Sequence, residues 1–307
     1  MKKTIKTIVC LACAIALVLA LGSSAFAATN DDALALAQKA VDIQAIQNIM
    51  SRHVLYHCYG EHKAEMEEIW VQEYENQMTA SFGQNQGFYV GYGSIWDAYV
   101  TGHDSSWLAT AKSYCEANDI DVSDWTDEEI LEVYGGVGQL LLHVTTTGII
   151  EVADDGLTAK GYWYSPGMIR EVGMSGNSIW EAYGVDFIKE NGEWKIWHLH
   201  MFTDFMGGFY INFPTGNVSA SGGPGGGSGE SNSQGDMTDV DLFLRYDYIS
   251  SPQYSELSPD RLRSVMMSVP IPLPYDEWSF DVPNYGPTVE EYASVGIDVN
   301  EWYAAHP

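Results

Sequence analysis

The sequence predicts an α+β fold: a curved antiparallel sheet packed on N-terminal helices as a cone-shaped barrel, with an extended C-terminal tail. Three observations predict it. Apolar residues recur at helical spacing from Ala33 to Met50. Four β-type segments crowd into residues 139–204, divided by tight-turn sequences. A Gly/Ser-rich run then separates these elements from a proline-broken, aromatic segment.

The chain has 307 residues. Lys2, Lys3 and Lys6 form a basic start, an apolar run follows from Ile8 to Leu21, and Ala25-Phe26-Ala27 is an A-x-A cleavage pattern. Residues 1–27 are therefore expected to be a secretory signal peptide, with the mature protein outside the cytoplasm and without a membrane span. Cleavage removes three lysines and no acid, taking the net charge from −28 to −31. So acidic a chain is unsuited to phosphate backbones or anionic membranes. With 46% hydrophobic residues it is equally unlike a disordered acidic tail. Of the four cysteines, Cys58 and Cys115 lie beyond the cleavage point. In an oxidising compartment they are either a bridge or two buried thiols.

Asp31 or Asp32 can cap a first helix reaching about Tyr59, and a second runs over about His62–Tyr74, with Met66, Ile69 and Trp70 on one face. Strand character starts at Met78–Phe82 and returns at Gly87–Tyr92. Ser94–Val100 reads as helix. Residues 103–138 read as an acidic helical insertion in which Thr126 and Glu129 form a capping box. The β-type segments are Gln139–Val152, Leu157–Ser165, Ser178–Lys189 and Glu193–Asp204. Asp154-Asp155-Gly156 and Glu190-Asn191-Gly192 supply the turns of an antiparallel meander. The folded domain thus spans residues 28–213, a flexible linker 214–237, and a Pro/aromatic-rich tail 238–307. Too broken to form a core alone, the tail suits wrapping over its own domain or a partner subunit, and a homo-oligomer with the tail on a neighbour is expected.

Arg52-His53-Val54-Leu55-Tyr56-His57 in the first helix, His143-Val144-Thr145-Thr146-Thr147-Gly148-Ile149-Ile150-Glu151-Val152 and Asp155-Gly156-Leu157-Thr158-Ala159 recur in a telling order. Tyr183-Gly184-Val185-Asp186-Phe187-Ile188 and Asn191-Gly192-Glu193-Trp194-Lys195-Ile196 complete it. Over about residues 31–213 this pattern resembles the SnoaL-like branch of the nuclear transport factor 2-like superfamily, with its scytalone dehydratase-like and bile-acid dehydratase-like members. The resemblance implies a cone with a deep apolar pocket. It does not by itself imply the reaction, since the superfamily also holds isomerases, cyclases and binding proteins.

The resemblance implies that His143 occupies the strand position of a catalytic histidine, a general acid/base near working pH. It also places a substrate-polarising tyrosine on the first helix, at Tyr56 or at the position of His53; these two share a helix face, whereas His57 is expected to point elsewhere. On the last strand, alternation sets Trp194, Ile196, His198, His200 and Phe202 in one row and Lys195, Trp197, Leu199 and Met201 in the other. His198 and His200 are expected to bind ligand or tune His143. With His143 and Asp204 they make an incomplete metal set, so no metal and no cofactor are expected. Asp186 and Asp204 are candidate acidic partners of a histidine. Trp96, Tyr162 and Trp180 are candidate walls of a pocket for a small hydrophobic ligand. Hydrolase, zinc-protease, thiol-redox and dinucleotide motifs are absent from the sequence. The reading is a cofactor-independent dehydratase (lyase) or isomerase of a hydrophobic cyclic hydroxy-carbonyl compound. The alternative is a non-catalytic extracytoplasmic binding or oligomerisation module.

Overall fold

A computed structural model describes residues 30–85, 87–170, 176–208, 248–250 and 271–306. The expected signal peptide, the linker and most of the tail up to residue 270 lie outside the described residues. Residues up to Asp42 form one compact unit and residues from Ile43 another. In the first unit, Gln38 Nε2 donates to Asp42 Oδ1 at 3.2 Å. The second unit holds the sheet, the remaining helices and the tail.

Helix α1 (Asn30–Tyr59) buries Ile46, Met50, His53 and Val54 at i, i+4, i+7 and i+8, the stripe that packs on a sheet. Gly60, with φ 76°, ends it in the left-handed conformation that glycine adopts most readily. Helix α2 (His62–Ile69) buries Met66 and Ile69, but it stops short of the expected Tyr74. Trp70 turns extended and bridges Ile196, and Val71 N donates to Ile196 O at 3.1 Å. Helix α3 (Tyr74–Thr79) then takes in Met78, which the sequence assigns to a strand. Strands β1 (Ser81–Gln84) and β2 (Gly87–Val90) form a hairpin. Helix α4 (Tyr92–Trp96) passes through a π-helical turn, Asp97–Thr101, into α5 (Gly102–Ala117). Helix α6 (Asp127–Tyr134) starts at the Thr126/Glu129 capping box. The segment Gln139–Val152 divides into β3 (Leu140–His143) and β4 (Ile149–Val152). The long strands are β5 (Thr158–Arg170), β6 (Asn177–Glu190) and β7 (Glu193–Gly208), and β8 is Tyr248–Ser250.

The fold is α+β, with an eight-stranded sheet in the order β3-β5-β6-β7-β1-β2-β8 and β4 beside β5. The path is open, and among the described strands β1 pairs parallel with β7, with Ser81 opposite His198. Between β6 and β7, Asn191 (φ 51°) and Gly192 (φ 86°) both take left-handed backbone, as a two-residue hairpin turn requires.

Register shifts at Trp180/Glu181 and Asp186/Phe187 curve the sheet and change which side chains share a face. Asp186 pairs with His198 while Phe187 pairs with Ile196, so Trp197 is an extra residue. This corrects the single row expected for β7. Opposite residues of an antiparallel pair point the same way. Ile196 and Leu199 therefore lie with Phe187 and Val185 on one face, and Trp197 turns to the other with His198, His200 and Phe202.

That second face is covered by the tail. Trp197 packs on Trp278, Phe280 and Trp302 at ring-centroid distances of 4.7, 5.6 and 5.0 Å. Helices α7 (Val289–Ser294) and α8 (Val299–Ala305) bury Tyr292 and Trp302. Trp302 Nε1 donates to Asn76 Oδ1 at 2.9 Å. Of the two surfaces open to the tail, its described part covers the chain's own sheet, through contacts that the sequence also offered to a neighbour. Cys58 and Cys115 are free thiols.

Candidate functional site

On the helix-covered face, five of the eight histidines come together: His53 and His57 from α1, His62 from α2, His103 from α5 and His143 at the end of β3. Each arrives for a local reason. His53 and His57 are i,i+4 on α1 and stack at 6.1 Å. His62 opens α2 directly after Gly60 turns the chain. The π-helical turn sets Tyr99 and His103 so that His103 Nδ1 donates to Tyr99 O at 2.7 Å. His143 pairs in register with Gly167, where a Cβ would stand 2.4 Å from Leu142 O and 3.1 Å from His143 Nδ1, so the missing side chain makes room for the imidazole. His57 touches His62 at 5.2 Å and His143 at 5.1 Å, and His62 stacks on His103 at 4.2 Å.

Carboxylates and phenols frame these rings. His53 Nδ1 lies 2.7 Å from Glu65 Oε1, with exposures of 3% and 0%. His143 Nδ1 lies 3.3 Å from Glu181 Oε2, with exposures of 4% and 1%; this is an ion-pair distance without hydrogen-bond alignment. Tyr99 OH is 3.0 Å from His57 Nδ1. Tyr183 packs edge-on against His53 at 5.3 Å and donates to Glu181 Oε2 at 3.4 Å. The Nε2 atoms of His53 and His62 and the Oε2 of Glu65 are buried without a hydrogen-bond partner.

Burial sets the protonation states. It pushes the His62 imidazole down to about 3, with the neighbouring His103 adding to the effect. Burial first, then His62, His53, His143 and His103, hold His57 well below the usual range. Burial, then Glu65, raises the Tyr99 phenol well above its ordinary value, and burial, then Glu181, does the same for Tyr183. Near neutral pH the site thus presents neutral imidazoles at His57 and His62 beside protonated phenols. Such groups accept and donate protons without carrying a net charge into a dry interior. Among the described residues no group of three or more His, Cys, Asp or Glu is arranged to hold a metal ion.

Of the residues expected to be catalytic, His143 and His53 meet in this cluster, and Tyr56 does not. Its hydroxyl turns outward and donates to Glu68. His57, expected to point elsewhere, takes the inward place, because i+4 falls closer to the direction of His53 than i+3 does. The acidic partner of His143 is Glu181, not Asp186 or Asp204. Asp186 belongs to His198, 2.9 Å away, and the Asp204 side chain lies outside the described residues.

His198 and His200 lie on the opposite face, so they neither tune His143 nor share its surroundings. His198 Nε2 is 3.1 Å from Tyr292 OH, and His200 Nε2 donates to Gln84 O at 3.2 Å. Burial lowers His200 to about 3. Tyr162 packs with Ala182, Phe202 and Tyr285 on that face too. Trp180 is 46% exposed, and Trp96 packs on the core beside Tyr92 at 6.1 Å. None of these three walls the histidine cluster. The residues that sequence reading passes over are His57, His62, His103, Tyr99, Glu65 and Glu181. The i,i+4 spacing of His53 and His57 is the one local sign of them. Glu65 and Glu181 join only through the fold.

No protein-family model and no curated protein sequence matches the chain. Solved structures resemble it over somewhat more than half its length. One is a candidate scytalone dehydratase from Novosphingobium aromaticivorans, at 11% identity and TM-score 0.37, covering 58% of this chain and 93% of that one. Another is a hexachlorocyclohexane dehydrochlorinase, LinA-type3, from Novosphingobium barchaimii, at 15% identity and TM-score 0.37, covering 55% and 90%. A third is an NTF2-like protein with a cystatin-like fold from N. aromaticivorans, at 14% identity and TM-score 0.37, covering 57% and 90%.

Proposed function

We propose that this chain is an exported lyase of dehydratase type, acting on a small hydrophobic hydroxy-carbonyl compound, with His143 as general base and acid. The observation that carries the reading is the buried His143–Glu181 pair at 3.3 Å inside a cluster of imidazoles and phenols. His143 takes the proton from the carbon next to the carbonyl, and Glu181 stabilises the imidazolium so formed. As the carbon–oxygen bond breaks, His143 returns that proton to the departing hydroxide, giving water and a carbon–carbon double bond. Tyr99 or Tyr183, held protonated, supplies a hydrogen bond to the developing enolate. Replacing His143 by Gln in a protein with an identified substrate tests it: turnover is expected to collapse, and unchanged turnover rejects the mechanism.

A second reading is a binding module without chemistry. It is favoured by the ring-filled interior beside a cavity of only about 120 Å³. Native mass spectrometry separates the two. A retained small molecule recovered unaltered after long incubation points to binding alone. Export rests on the basic, apolar and A-x-A start, and N-terminal sequencing of protein from the culture's extracytoplasmic fraction tests it. A homo-oligomer remains part of the proposal, with light scattering its direct check.

A further inference from the structure

We propose that substrate reaches His143 through a cavity beside the end of α1, and that Trp107 sets what passes. This rests on the lyase reading and adds a route and a size limit to it.

The cavity, of about 120 Å³, is lined by Cys58, Tyr59, Trp107, Gln139 and Leu141 together with Gly135 and Gly136. Its wall is joined to the proposed base. His143 N donates to Cys58 Sγ at 3.3 Å, and Cys58 Sγ in turn contacts His143 O at 3.6 Å. Leu141 is two residues before His143 on β3, so both side chains point to the same face. Trp107 closes the inner side, its ring 5.7 Å from His62 and 6.1 Å from His103. The indole therefore stands between the cavity and the histidines.

Two glycines seat that indole. A Cβ at Gly60 would lie 2.1 Å from Trp107 Cη2, and one at Gly136 would lie 3.8 Å from it. Both glycines have left-handed backbone, φ 76° and 71°, so the seat is fixed by backbone that other residues adopt poorly. The cavity ends at the Trp107 ring, and a molecule bound for the histidines passes only when the indole swings aside. Trp107 and Leu141 offer apolar surface, while Gln139, Tyr59 and Cys58 supply an amide, a phenol and a thiol. That lining fits a flat, uncharged molecule with more than one hydrogen-bonding group, in keeping with a hydroxy-carbonyl compound.

The test follows access rather than activity. The folded full-length protein is treated with iodoacetamide or with a bulky pyrene maleimide, and alkylation of Cys58 is followed by peptide mapping. Buried Cys115, 1% exposed, is the internal control. Trp107→Ala is expected to speed carbethoxylation of His143 by diethyl pyrocarbonate at least tenfold, with Trp107→Phe intermediate and alkylation of Cys115 unchanged. Alkylated Cys58 is expected to slow carbethoxylation of His143 at least tenfold. Equal His143 rates in the wild type and in well-folded Trp107→Phe protein overturn the gate. An unchanged His143 rate behind blocked Cys58 overturns the route. Neither readout needs a substrate, so a failure here is distinct from failure of the lyase mechanism.

Discussion

A methyl group placed on Gly184 measures how firmly the tail is built into the fold. Gly184 sits on β6 opposite Tyr162 on one side and His200 on the other. Because it has no side chain, the ring of Tyr285 lies directly on the sheet. A Cβ there would stand 2.1 Å from Tyr285 Cδ1, 2.3 Å from Cε1 and 2.7 Å from Cγ. The ring has nowhere to go: Tyr285 is 5% exposed, and its backbone N–H donates to Asp186 Oδ2 at 2.7 Å. Overpacking of this kind costs about 1–3 kcal/mol. Gly184→Ala is thus expected to lower the free energy of urea unfolding by that amount and to speed proteolysis within residues 271–306. Adding Tyr285→Ala removes the clash, so the double variant should be more stable than the sum of the singles, by about 0.5–3 kcal/mol of coupling. A Gly184→Ala protein with the wild-type midpoint and an equally protected tail would refute the reasoning.

Other outcomes follow from the same geometry. His62 and His200 are held near 3, below the ordinary histidine value, so the unfolded chain binds more protons than the folded one as pH falls below about 6.5. Stability should therefore decline from about pH 6.5 toward 3, each group contributing about 1.4 kcal/mol per pH unit. Urea titrations at pH 7 and 4.5 check this, and a His62→Gln protein with an unchanged pH slope would speak against it. Tyr292→Phe removes a hydroxyl that donates to Thr79 O at 2.5 Å and meets His198 Nε2 at 3.1 Å, leaving those two atoms bonded to each other at 3.2 Å. It should cost about 0.5–1.5 kcal/mol in urea unfolding, the net worth of a hydrogen bond, and no loss would show that the phenol adds nothing to stability. Glu181→Gln keeps the shape but removes a charge whose attraction to an imidazolium 3.3 Å away is about 5 kcal/mol at an effective dielectric near 20. Turnover should fall about 10²- to 10⁴-fold, whereas a near wild-type rate would leave Glu181 without a role.

Much of the fold is legible in the sequence, because period and turn chemistry act locally. The stripe Ile46, Met50, Val54, the Asn191-Gly192 turn and the Thr126/Glu129 capping box each need only neighbouring residues. What cannot be read this way depends on distant partners. The extra residue Trp197 in β7 turns the strand's alternation, and nothing near it in sequence marks a bulge. With it, His198 and His200 move from the expected pocket to the tail-covered face. The site is half legible. His143 and His53 are reached through the family resemblance, not through local spacing. Tyr56 is drawn outward by Glu68, while His57 is drawn inward by Tyr99, a residue on a π-helical turn far along the chain. Glu181 differs from the other acids only in being buried beside His143, which pairing of β5 with β6 decides.

Turnover is predicted to depend on His143 moving the proton. The direct measurement is kcat/KM of His143→Gln, with circular dichroism and urea unfolding confirming the fold, on a compound recovered from the native protein. A loss of about 10²- to 10⁴-fold with intact structure is the predicted result. Wild-type turnover by the variant would contradict it.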